Sequence, residues 1–131
     1  MTRREDRRAG IDILFQADVT GTAPTQVLDE WRAAEREVPP FAEALVRGVA
    51  DRLPDIDLLL ETHAEDWSVV RMAALDRTIL RVGVYELLWS DDVPTSVAIS
   101  EAVEAAAELS SEDAKRFVNG ILGKIAREER V

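Results

Sequence analysis

Four arginines, Arg3, Arg4, Arg7 and Arg8, fall within the first eight residues. On a helix Arg3 stands one turn from Arg7, and Arg4 one turn from Arg8. Guanidinium forks at that spacing suit bidentate contacts to phosphate. A plain solvated tail would use the same residues, and Glu5 and Asp6 weaken the local field. A second group lies near the C-terminus, where Arg116, Gly120, Gly123 and Arg127 share one helical face with Lys124 beside them. Each glycine inside a helix costs about 1 kcal/mol relative to alanine, which predicts close approach of another helix or of a ligand backbone. Phe117 suits either the core or a stacking platform for an unpaired base. Asn119 carries both a donor and an acceptor, so it can read a base edge or cap a neighbouring helix.

Catalytic chemistry finds little support. The chain has one histidine, His63, and no cysteine. His63 falls on the apolar side of its helix, where a packed ring with a satisfied nitrogen is expected. Glu61-Thr62-His63-Ala64-Glu65 is not the helical zinc-protease motif, which needs two histidines. No Glu-x-x-His pair exists for a di-iron bundle, and no glycine-rich loop resembles a phosphate cradle. Glu101, Glu104 and Glu108 recur along one helical face, as a solvated face or an acidic docking face. Neither an enzyme, a metal site nor a cofactor is expected.

The 131 residues carry a net charge of -10, which alone argues against nucleic acid. The distribution changes that reading. In residues 1–8 the four arginines outweigh two acids. In residues 115–131 Lys115, Arg116, Lys124, Arg127 and Arg130 outweigh Glu128 and Glu129. Residues 9–114 hold 7 basic and 22 acidic side chains. If the two positive ends meet, they make one basic patch on an acidic protein. The length fits one domain, residues 1–131, able to bury a core without disulfides or metals. No apolar run reaches the roughly 18 residues of a membrane span. None follows the basic N-terminus as a signal peptide would require. These features predict a cytoplasmic chain.

The elements that must position these residues are helices throughout. The first, about Arg3 to Val19, turns Ile11, Leu14 and Phe15 inward and stops at Gly21. The second, about Pro24 to Glu37, buries Val27, Leu28 and Trp31, and Pro39 and Pro40 end it. The third, about Pro40 to Arg52, buries Phe41, Leu45, Val46 and Val49. Pro54 suits the start of a fourth, carrying Ile56, Leu59, Leu60 and His63. A short connection runs through Trp67, Ser68, Val69 and Val70. The fifth, about Ala73 to Trp89, is the most apolar and is expected at the centre. The sixth, about Thr95 to Leu109, packs Val97, Ala98, Ala102, Ala105 and Ala106. Ser110 or Ser111 caps the seventh, about Glu112 to Glu128, where Phe117, Val118, Ile121, Leu122 and Ile125 face inward. The expected fold is an all-α compact bundle of about seven helices. Its two helical layers would divide near residues 39–40 or at the break from Asp66 to Ser68.

Four stretches, in order, resemble the NusB family. Arg7-Arg8-Ala9 leading to Leu14-Phe15-Gln16 matches the arginine-rich opening. Leu75-Asp76-Arg77-Thr78-Ile79-Leu80-Arg81-Val82-Gly83-Val84-Tyr85-Glu86-Leu87 matches the central helix. Asp92-Val93-Pro94 with Val97-Ala98-Ile99-Ser100-Glu101-Ala102-Val103 follows. Ser111-Glu112-Asp113 before Phe117-Val118-Asn119-Gly120-Ile121-Leu122 matches the C-terminal motif. The resemblance implies a NusB-like fold of two helical subdomains and a role in transcription antitermination and ribosomal RNA synthesis. It implies binding of boxA RNA together with NusE, a small-subunit ribosomal protein, within the antitermination complex on RNA polymerase. A homodimer is a further implied state. The RNA-binding positions implied are Arg3, Arg4, Arg7, Arg8, Gln16, Asp113, Lys115, Arg116, Phe117 and Asn119. The partner-binding positions are Asp76, Arg81, Tyr85 and Glu86, with Glu101 on the acidic face. Phe15 stands where the family often has tyrosine, and Glu5 and Asp6 interrupt an opening that is usually more basic. The alternative reading is a protein-interaction adaptor with a NusB-like fold and little RNA binding of its own.

Overall fold

A computed structural model describes residues 2–64 and 68–129. Asp66 and Trp67 of the expected connection, and Arg130 of the basic C-terminus, lie outside the described residues. The chain divides into two compact units, Met1–Asp51 and Arg52–Val131. The division falls neither at residues 39–40 nor near Asp66. Pro40 opens a helix that packs on the two before it, so the proline pair lies inside the first unit. Every regular element among the described residues is helical.

The first unit holds α1 (Arg3–Thr20), α2 (Pro24–Ala33) and α3 (Pro40–Asp51), each packed on the other two. Thr2 and Glu5 start α1 with a capping box: the Thr2 side chain accepts from the Glu5 N–H, and the Glu5 carboxylate accepts from the Thr2 N–H. That satisfies two N–H groups the helix would otherwise leave orphaned. Gly21 ends α1 at φ 69°, a left-handed conformation that costs glycine no side-chain clash. Ala17 O then accepts from both Gly21 and Thr22. α2 stops four residues earlier than its periodicity suggested. Glu35 takes φ 60°, the Glu35 N–H bonds Arg32 O, and the Arg36 N–H bonds Trp31 O. This pattern closes a helix by satisfying its last carbonyls. Ile11, Leu14, Val27, Leu28, Trp31, Leu45, Val46 and Val49 are buried as their spacing requires. Phe41, expected in the core, is only half-buried.

The second unit holds α4 (Leu53–His63), a 3-10 turn (Val69–Arg71), α5 (Ala74–Trp89), α6 (Thr95–Leu109) and α7 (Glu112–Glu129). α5 is central, packing on α4, α6 and α7. It meets α7 tightly at Gly83, where a Cβ would stand 2.7 Å from Leu122 Cδ1. Ala98, Ala102, Ala105 and Ala106 form the buried stripe of α6, whereas Val97, also expected to pack, is 40% exposed at its first turn. Ile79, Leu80, Leu87, Leu122 and Ile125 are fully buried, and each such side chain contributes about 1.5–3 kcal/mol relative to exposure. Ser111 caps α7, its Oγ accepting from the Ala114 N–H at 3.0 Å.

Polar side chains fix the short connection within this unit. The Glu61 carboxylate accepts from the Val69 N–H at 2.7 Å. The Arg77 guanidinium donates to the carbonyls of Val69 at 2.9 Å and Met72 at 3.2 Å. The 3-10 turn is thereby tied to α4 on one side and α5 on the other. No helix among the described residues is long and apolar enough to cross a membrane.

Candidate nucleic-acid interface

In the first unit the arginine pairs lie on α1, but the four side chains are not equivalent. Arg3 is exposed and its guanidinium carbon sits 4.1 Å over the Phe41 ring. Arg7, one turn on, is 5% exposed and lies 5.3 Å from the same ring centroid. Phe41 thus holds two cations against an aromatic face, which explains why it is not sunk in the core. Arg4 is exposed and Arg8 half-buried, and both hold interactions within the protein. Gln16 is half-buried, with its amide oxygen accepting from Trp31 Nε1–H at 3.0 Å, so it also fixes α2 on α1. Arg36 covers the Trp31 ring, with its guanidinium carbon 3.4 Å from the ring centroid.

In the second unit the start of α7 carries the other group. Asp113 and Arg116 form an exposed ion pair, and Asn119 is exposed. Lys115 and Phe117 are half-buried. Phe117 lines a cavity of about 520 Å³ with Met72, Ala73, Asp76, Asp113 and Ala114. The half-exposed ring is neither fully core nor fully platform: one part packs in the unit and another borders open volume. Asp76, grouped by resemblance with the partner-binding residues, lines this same cavity, and its Oδ1 is buried without a hydrogen-bond partner among the described residues.

The glycines of α7 do not mark a helix crossing. A Cβ on Gly120 would meet nothing within 4 Å, and one on Gly123 would meet only Arg127 Nη1 at 3.3 Å. The close approach sits at Gly83, on a helix where apolar composition masked it.

The remaining candidates lie elsewhere in the second unit. Arg81, 14% exposed, is held bidentate by Asp57 of α4, with Nε at 2.9 Å and Nη2 at 2.8 Å. Planar fork-on-carboxylate geometry of this kind fixes one helix on another. Glu86 is 1% exposed and lies inside the unit, not on its surface. Tyr85 is half-buried, 6.5 Å from Trp89, and Arg52 sits 4.8 Å over the Trp89 ring. Glu101 is half-buried on α6 while Glu104 and Glu108 are exposed. Sequence reasoning missed Phe41, Asp57 and Arg77 as organisers of these groups. No sequence signal pairs them, because Phe41 meets Arg3 and Arg7, and Asp57 meets Arg81, across different helices.

The comparisons agree with one another. The NusB family profile matches residues 4–127. The transcription antitermination protein NusB of Beutenbergia cavernae is 48% identical over 136 residues, covering 95% of this chain and 89% of that protein. The solved structure of T. maritima NusB superposes with a TM-score of 0.87 at 36% identity, covering 98% of this chain and 92% of that one. A chain in a crystal structure of antitermination factors NusB and NusE with double-stranded RNA gives a TM-score of 0.82 at 25% identity, covering 97% of this chain and 98% of its own. With the family profile spanning nearly its whole length and a relative at 48% identity, the chain belongs to the NusB family.

Proposed function

We propose that this protein is a transcription antitermination factor that binds boxA RNA together with NusE and so promotes ribosomal RNA transcription. The observation that carries the reading is its similarity, over 97% of its length, to the chain solved with NusE and RNA. The residues assigned to RNA are Arg3, Arg4, Arg7, Arg8 and Gln16 on α1, and Asp113, Lys115, Arg116, Phe117 and Asn119 on α7. Their chemistry divides into two tasks. Arg3, Arg4 and Arg116 supply surface charge for phosphates, which positions RNA without reading it. Phe117 and Asn119 supply a stacking face and a donor–acceptor pair, which read unpaired bases. Arg7 and Gln16 act by holding that surface in place. The NusE side is assigned to Arg81, Tyr85 and Glu101, with Glu86 supporting them from within. Asp76 belongs with either group. No step of this role needs bond-making chemistry in the protein, which works as a non-catalytic adaptor in the cytoplasm.

The test is a fluorescence-anisotropy titration of a single-stranded boxA RNA against a scrambled control, with and without purified NusE. Specific binding that tightens with NusE, and weakens when Arg3 and Arg4 become alanine, is expected. Association with NusE but no preference for boxA would replace this reading with that of a protein-interaction adaptor.

A further inference from the structure

The one histidine of the chain is not merely packed. His63 is the last residue of α4, and its side chain is 3% exposed. Its Nδ1 lies 2.8 Å from the Leu59 carbonyl oxygen. A carbonyl only accepts, so Nδ1 carries a hydrogen and donates it. That leaves Nε2 pointing at the Glu128 carboxylate 2.7 Å away, from a residue 65 positions further along the chain. Two lone pairs do not face each other at that distance unless something positive lies between them. A proton or a metal cation meets that need. Glu129 brings a second carboxylate, and one ligand atom each from His63, Glu128 and Glu129 lie within 4.8 Å of one another.

We propose that this cluster is a binding site for a divalent cation of the zinc class, with His63 Nε2 and the carboxylates of Glu128 and Glu129 as ligands. Four features of the site favour it. One imidazole and two carboxylates, completed by water, form a donor set suited to zinc. The second nitrogen of the ring is already fixed by a backbone carbonyl, the usual support for a metal-bound histidine, which sets the tautomer and leaves Nε2 as the ligand. His63 closes α4, and Glu128 and Glu129 close α7, so two helix C-termini turn their partial negative charge toward the cation. Finally, the buried ring gives a fixed ligand, while Glu128, its side chain 59% exposed, leaves a route in from solvent. Binding would place the metal ion between Nε2 and the two carboxylates, any proton held there passing to solvent, and would tie the C-terminus of α7 to the end of α4. The site lies about three turns along α7 from Phe117, so it is separate from the proposed RNA surface of that helix.

Because the chain has a single histidine, its imidazole nitrogens give a unique nuclear magnetic resonance signature in a ¹⁵N-labelled, tag-free protein. After treatment with a chelator, zinc chloride is titrated in. The expected result is a change of the Nε2 resonance that saturates at one equivalent, while Nδ1 stays an N–H nitrogen. Thermal unfolding should shift upward in parallel. The double variant Glu128→Gln, Glu129→Gln changes only exposed positions and should bind zinc at least tenfold more weakly. Imidazole resonances that stay unmoved by several equivalents of zinc would overturn the proposal. So would an unchanged affinity in the double variant, since the ligands would then lie elsewhere.

Discussion

Arg3 and Arg7 share the Phe41 ring, yet one lies at the surface and the other is 5% exposed. The same residue type at one-turn spacing therefore does two different jobs. Arg7 buries its aliphatic stem and delivers its charge to an aromatic face, so its loss removes packing as well as charge. Arg7→Ala is expected to destabilise the protein by roughly 1–3 kcal/mol. Arg3→Ala, at an exposed cation–π contact, should cost no more than about 1 kcal/mol. The RNA readout should run the other way. Losing a phosphate contact at Arg3 lowers the slope of log affinity against log salt by about one. Arg7→Ala should leave that slope nearly intact once the fraction folded is accounted for. Urea unfolding and anisotropy at three salt concentrations measure both quantities. Equal stability losses with equal slopes would mean that burial does not divide the two roles. Glu5 fits the same view: an acid in a basic opening weakens phosphate binding, but it completes the capping box that starts the helix carrying the arginines.

Helices meet where side chains let them, and here the glycines carry the clearest consequences. At Gly83 an added methyl would press on Leu122, itself fully buried, with Cδ1 at 2.7 Å and Cδ2 at 3.2 Å. Overpacking of this kind costs about 1–3 kcal/mol, more than the roughly 1 kcal/mol that alanine returns in helix propensity. Gly83→Ala should therefore be net destabilising. Gly120 faces open space, so Gly120→Ala should stabilise by about 0.5–1 kcal/mol. Opposite shifts of the urea midpoint are the expected result. A second element-level contact is pH-dependent. Glu43 of α3 pairs with Arg47 on its own helix and with Arg32 of α2, and these two guanidinium groups hold its pKa below the ordinary 4.5. A lowered folded pKa means stability that is fully present above the unfolded value and lost as pH falls through the folded one. The melting-temperature gap between wild type and Glu43→Gln should be positive at pH 7 and shrink only below about pH 4.5. A gap constant down to pH 2 would exclude the contact as its source. Periodicity and punctuation revealed seven helices, the Gly21 stop, a cap of α7 at Ser110 or Ser111, and the limits of α6. They could not reveal which inward residue of one helix meets which of another. Asp57 with Arg81 is 24 positions apart, and His63 with Glu128 is 65. Helical spacing says that a side chain turns inward, not what it meets. The two glycines of α7 show the same limit: their cost was legible, but not that no helix crosses there.

For the molecule as a whole, the problem is a net charge of -10 on a protein assigned to RNA. Phosphate is repelled by such a body at long range, so the basic residues at the two chain ends must act at short range. A partner of opposite charge resolves the conflict. A ribosomal protein, built to bind RNA, is generally basic, and its complex with this chain would carry less negative charge than this chain alone. The acidic middle of the sequence would then speed encounter with the partner, and the pair together would hold RNA. Steering of this kind acts on the association rate more than on the lifetime of the complex. The face bearing Glu101, Glu104 and Glu108 on α6 is the place to test it, since two of the three are exposed. Glu101→Lys with Glu104→Lys should slow NusE association several-fold at low ionic strength, as read by stopped-flow fluorescence. The effect should fade near 1 M salt, where the screening length falls to about 3 Å. Dissociation should change little if the stripe steers without forming the contact. A matching rise in the dissociation rate would place the stripe inside the interface. An unchanged association rate at low salt would remove it from recognition and leave it a solvated face.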